Sequence, residues 1–156
     1  MMIVNPHVFS NDKVLELLFN GANGSTTFTD SSPYNATFTR TGWPTIQDNM
    51  GEFTANGYYI KAPQPIAGLW EWGANDFEIT GEFKINSVGG YRGIICQRNA
   101  LGTGGTFTLS IDADISNKLR FYVHTSSGYR SVMHQTAPIA NTLYTFKAAR
   151  HGAYLR

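Results

Sequence analysis

The chain has 156 residues, 12 Lys+Arg against 11 Asp+Glu, and only 15% charged residues. That length fits one domain with a real core. The near-even charge balance has no basic stripe or block, so no nucleic-acid partner is expected. Aromatics reach 13% and glycines number 16, and together with abundant Thr and Ser this favours strands and turns over helices.

The opening "MMIVNPHVF" has no basic segment and no apolar run, and Pro6 interrupts it. No signal peptide or membrane span is read there, so the chain is expected to be made and folded in a cytoplasm, with no membrane partner. Residues 1–13 are read as an N-terminal arm and 14–156 as the domain. The first strand is expected over 13–19, with Leu15, Leu17 and Phe19 on its core face. It ends at "NGANG", where Asn20-Gly21 and Asn23-Gly24 supply turn chemistry because Asn and Gly tolerate positive φ. The polar run that follows holds one large apolar residue, Phe28.

Further along, 58–61 reads as a short strand. The segment "PQPIAGLWEWGAND" is the one place for a helix, limited to about one turn by Gly68 and Gly73. "DFEITGEFKI" alternates cleanly. Phe77, Ile79, Phe83 and Ile85 face one way, and Glu78, Thr80, Glu82 and Lys84 the other. "TFTLSID" repeats the pattern, and so does "KLRFYVH", with Leu119, Phe121 and Val123 inward and Arg120, Tyr122 and His124 outward. "HTSSGY" is read as the turn into "YRSVMHQ". Segments 92–97 and 143–149 complete the set. The lone cysteine, Cys96, sits in "GIICQ" and reads as a buried small hydrophobe, with no intrachain disulfide available. About ten strands split by turns point to an all-β fold, a two-sheet antiparallel β-sandwich.

Several of these pieces, in this order, resemble the concanavalin A-like, laminin-G-like jelly-roll modules of phage structural proteins. They are "LLFNGANGSTTFTDSS", "GEFTANGYYIKAP", "WGANDFEITGEFKI", "KLRFYVH" and "NTLYTFKAARHGAYLR". The resemblance covers roughly Val14 to the C-terminus. It implies a concanavalin A-like jelly roll of two curved sheets, whose members mostly bind sugars or proteins or act as virion spacers. In such modules the equivalent of "AARHGAYLR" runs on into a closing strand, whereas this chain stops at Arg156. The expectation is a short variant or a fragment with an open sheet edge, suited to homo-oligomerisation or edge-strand docking.

Candidate chemistry is sparse. Glu78 and Glu82 in "EITGE" have the spacing of glucanases of this class, but Thr80 stands where those enzymes carry an acid. Four residues of strand separate the two Cα atoms by about 13 Å, against carboxyl groups about 5–5.5 Å apart in retaining enzymes. The plainer reading is a solvated strand face. "DADISN" places Asp112 and Asp114 in a tight turn that fails the EF-hand pattern, because Asn117 and Val123 occupy the required Gly and Glu positions. A looser calcium cage through Asp112 and Asp114, or through Asn20 and Asp30 at the rim of the opening stretch, stands beside a pure turn role. No other cofactor is expected. If 125–128 form a turn, His124 and His134 fall on opposite faces and cannot share a metal. Sugar binding would use aromatic faces with nearby amides or carboxylates. Trp43, Tyr58, Tyr91 and Tyr129 are the ligand-binding candidates, with Tyr122, Trp70 and Trp72 behind them.

The leading expectation is a non-enzymatic virion structural protein: a capsid decoration, head-fibre or tail-fibre module contacting other virion proteins or host-surface polysaccharide. A carbohydrate-binding, lectin-like module is the alternative. A glucanase-like glycoside hydrolase is the remote one.

Overall fold

The computed structural model describes residues 15–62, 76–97, 107–112, 116–125 and 128–156. Within them the chain is all-β, with no helix, in small antiparallel sheets. The expected arm over 1–13 and the helical turn in 63–75 lie outside the described residues, as do Trp70 and Trp72.

Eleven strands follow in chain order. They are β1 (Thr39–Thr41), β2 (Thr45–Gln47), β3 (Met50–Glu52), β4 (Tyr59–Lys61), β5 (Phe77–Phe83), β6 (Arg92–Gln97), β7 (Phe107–Asp112), β8 (Lys118–Thr125), β9 (Gly128–Met133), β10 (Tyr144–His151) and β11 (Tyr154–Leu155). The largest sheet has the order β6-β7-β8-β9, and a three-stranded sheet has the order β11-β10-β5. β1 pairs with β4 and β2 with β3 as separate ribbons.

The period-two strands hold up best. Phe77 and Ile79 of β5, Phe121 and Val123 of β8, and Phe146 and Ala148 of β10 are all buried in one cluster. Phe77 meets Phe121 edge to face, with centroids 6.0 Å apart and planes at 82°, so the two larger sheets share a core. Each such ring contributes about 1.5–3 kcal/mol by leaving water. The β8–β9 register places His124 opposite Tyr129, and the His134 amide donates to the Leu119 carbonyl at 2.9 Å, as the hairpin reading requires.

The opening stretch differs from its expectation. Leu15, Leu17 and Phe19 are buried as expected, but the described part of the expected strand, 15–19, is not a continuous strand: it forms only an isolated bridge, Leu17 to Asp30. The reason is local. Phe19 itself turns into the left-handed region at φ 50, a conformation costly for a bulky residue. Its ring packs edge to face on Phe28 at 6.0 Å and lies against Gly51, where an added Cβ would come within 2.5 Å of Phe19 Cε1. Gly24 has φ +82, as turn chemistry predicts, but Gly21 does not take positive φ. A side chain at Gly21 is excluded instead by Ile46 Cδ1, 2.8 Å from where its Cβ would stand.

The β2–β3 hairpin was not anticipated from the sequence. Its two turn residues, Asp48 and Asn49, both take positive φ (51 and 59), the geometry of a tight primed hairpin turn. Asn23 clasps that turn: the Asp48 amide donates to Asn23 Oδ1 at 2.9 Å, and Asn23 Nδ2 donates to Asp48 Oδ1 at 3.2 Å. Beside it, the Gly24 amide donates to the Ile46 carbonyl and the Ile46 amide to the Ser25 carbonyl, both at 2.8 Å.

Cys96 corrects its expectation: it is exposed. Pairing puts Ile95 opposite Leu109 and Leu109 opposite Phe121, which is buried. Cys96 falls one place on, in the row of Thr108 and Tyr122. A register shift between Gly93 and Ile95 lets both Ile94 and Ile95 reach the core, so the apolar run does not bury its last member. At the C-terminal end β11 folds back on β10, with Arg150 opposite Leu155 and His151 opposite Tyr154. The amides of Ala149 and Arg156 donate to each other's carbonyls at 2.8 and 3.1 Å.

Candidate functional site

The predicted site residues fall in separate places. Asp30, proposed for a calcium rim, is 2% exposed and its carboxylate is surrounded by donors. Oδ1 accepts from the amides of Glu16 and Ser32, each at 2.9 Å. Oδ2 accepts from the Ser32 hydroxyl and the Ala36 amide, each at 2.8 Å. A carboxylate with four donors from its own chain acts as an anchor for the loop. Asn20 is exposed and lines a cavity of about 40 Å³ with Leu17, Phe19, Thr27, Phe28 and Ile46. A wider cleft of about 270 Å³ lies over the Thr29–Thr37 bridge, lined by Thr26, Thr27, Thr29, Asn35, Thr37 and Phe38 among others.

The second calcium candidate, at Asp112 and Asp114, cannot be placed: Asp114 and the Asp112 side chain lie outside the described residues. Ser116 and Asn117 close that turn with φ 62 and 61. Among the described residues no three His, Cys, Asp or Glu side chains form a group able to hold a metal.

The glutamate pair sits on β5 as drawn from the sequence. Glu78 forms an ion pair with Lys147 at 2.6 Å, and Lys147 stands opposite Thr80 across the ladder. The residue across the ladder from Thr80, the position where the glucanase pattern wants an acid, is thus a lysine committed to Glu78.

The aromatic candidates divide into two groups. Tyr91 and Tyr129 are exposed, as expected of their Arg-flanked positions. Tyr129 packs on Tyr122, ring centroids 6.3 Å apart, and the Arg120 guanidinium lies 5.2 Å from the Tyr122 centroid. Trp43 and Tyr58 flank the end of the β1–β4 ribbon, Trp43 just after Gly42 and Tyr58 just before Tyr59. The Tyr58 ring lies over Gly42, whose φ is +74; a Cβ there would fall 2.2 Å from Tyr58 Cδ1. Trp43 follows Gly42, is 67% exposed, and carries the Arg40 guanidinium 4.5 Å from its ring centroid. Arg40 Nη1 donates to the Gly42 carbonyl at 2.7 Å. Tyr59 is exposed on the same ribbon.

Sequence reasoning missed Arg40, which no motif marks beyond its place three residues before Trp43. It also missed the anchoring role of Asp30, which "DSS" does signal: an Asp accepting from the amide two residues on is ordinary turn chemistry. No helix of the described residues is long and apolar enough to cross a membrane. No protein-family model matches the chain, and no curated protein and no solved structure matches it significantly.

Proposed function

We propose that the protein is a non-enzymatic structural module of a bacteriophage particle, a two-sheet jelly roll that works by surface contact. The observation that carries this reading is the core shared by the three- and four-stranded sheets. Beside it stands the resemblance of the sequence segments, in their order along the chain, to the concanavalin A-like modules of phage structural proteins. Two of the candidate carboxylates support it as well: Asp30 is committed to loop amides and Glu78 to Lys147. Large aromatic residues meanwhile face solvent on short ribbons and strand ends. In this role the module contacts other virion proteins, as a head or tail decoration, through its surface and sheet edges.

Mass spectrometry of gradient-purified particles tests the proposal. Peptides of this chain should co-purify with the major capsid protein in a constant ratio and survive a high-salt wash. Their recovery only from the particle-free lysate would overturn it.

A further inference from the structure

We infer that the Trp43 end of the β1–β4 ribbon is a binding site for an acidic polysaccharide: the indole takes a pyranose face and Arg40 takes the sugar carboxylate. The inference rests on the reading of the protein as a contact-making module, but not on where in a particle it resides.

Three observations lead there. The first is exposure: Trp43 keeps 67% of its surface in water even with a guanidinium over one face of its ring. An indole carries the largest flat apolar face of any side chain, and the axial C–H groups of a pyranose match such a face. The second is rigidity. Arg40 is fixed at both ends of its guanidinium's reach, by the ring at 4.5 Å and by the Gly42 carbonyl at 2.7 Å. The backbone between them is held by Gly42 in the left-handed region under the Tyr58 ring, and Pro44 is fully buried behind it. A platform already set in place loses little conformational freedom on binding. The third is charge. β1 and β4 carry no acidic residue, and Arg40, opposite Ile60, is the one charge of these two strands on its face of the ribbon, while Lys61, opposite Thr39, lies on the other face. The one hydrogen bond Arg40 makes among the described residues uses a single Nη1 proton, and a guanidinium has five N–H donors suited to a carboxylate. A neutral glycan would use the indole and leave the cation unanswered, so the ribbon selects an acidic one.

The test is titration of the full chain with tetragalacturonate, with its methyl ester, and with sialylated and sulfated oligosaccharides of similar size. Free acids should bind saturably. Trp43→Ala and Arg40→Gln should each weaken binding by about tenfold or more, the effect of losing roughly 1.4 kcal/mol. Arg40→Lys should restore part of it, and the methyl ester should bind about as weakly as Arg40→Gln binds the acid. Both residues are exposed, and an unchanged melting temperature shows that each variant is folded. Three results would overturn the inference: no binding to any acidic member, equal binding of acid and ester, or binding unaffected by Trp43→Ala. None of these bears on whether the chain co-purifies with particles.

Discussion

Asp30 shows how one residue's role depends on its surroundings. From the sequence it is a rim carboxylate with oxygen-rich neighbours, and calcium is a fair expectation. In the fold it is buried, and it holds the amides of Glu16, Ser32 and Ala36 together with the Ser32 hydroxyl. Removing it leaves buried donors without an acceptor, at about 1–3 kcal/mol for each one not rescued by water. Asp30→Ala should therefore lower unfolding stability by about 3 kcal/mol in urea titration, with Asp30→Asn milder. A loss below about 0.5 kcal/mol, the range of an ordinary surface change, would contradict the anchor role. The converging donors were not legible because they come from Glu16 and Ala36, on either side of Asp30, and only the folded loop joins them. Trp43 was legible as an exposed aromatic; its partner Arg40 was not, because stacking depends on the bend at Gly42.

At the scale of elements, alternation proved the reliable signal. It placed Phe77, Ile79, Phe121 and Val123 inward, and all four are buried. Reading the apolar run "GIICQ" as buried failed at Cys96, because Ile95 holds the row that leads to Phe121 and Cys96 falls one place on. The consequence is direct: Cys96 should react with a thiol reagent in the native protein without denaturant, one thiol per chain. Reaction only after unfolding would show that the strand lies in the other register. The three-residue strands β1 to β4 carried no periodic signal long enough to read. The β2–β3 hairpin depends on two non-glycine residues at positive φ, Asp48 and Asn49.

The β10–β11 hairpin has its own pH dependence. The Gly152 amide donates to Asp76 Oδ1 at 2.6 Å, and His151 Nδ1 lies 3.3 Å from Oδ2. The Gly152 hydrogen bond, more than His151 or Arg150, holds the Asp76 carboxyl below its ordinary 3.8 despite the opposing effect of desolvation. A carboxyl depressed in the folded state stabilises above its unfolded value, and the effect fades as pH falls through the folded one. Asp76→Asn should therefore lower the melting temperature slightly at neutral pH and converge with the wild type in acid. A gap that widens as the pH drops would contradict this sign.

For the molecule as a whole, the account depends on two sheets meeting in one core. Phe77 and Phe121 carry that contact from opposite sheets. Either truncation to Ala should cost about 3–5 kcal/mol, and the double-mutant cycle should show coupling of about 0.5–1.5 kcal/mol. Strict additivity would mean that the sheets are held elsewhere. The all-β class was legible because it needs only composition and period. The pairing of β10 with β5, more than 60 residues apart in sequence, was not, since nothing local specifies a partner so distant.

The central proposal is that this module is carried by its β scaffold into a particle and makes contact through its surface, with the Trp43 ribbon binding an acidic glycan. The most direct measurement compares phage carrying the wild-type chain with phage carrying Trp43→Ala, scoring the chain's copy number per purified particle and particle adsorption to encapsulated host cells. The account predicts an equal copy number and adsorption reduced by about tenfold, the loss expected for one stacking contact. A wild-type chain absent from the particles, or adsorption unchanged in the variant, would contradict it.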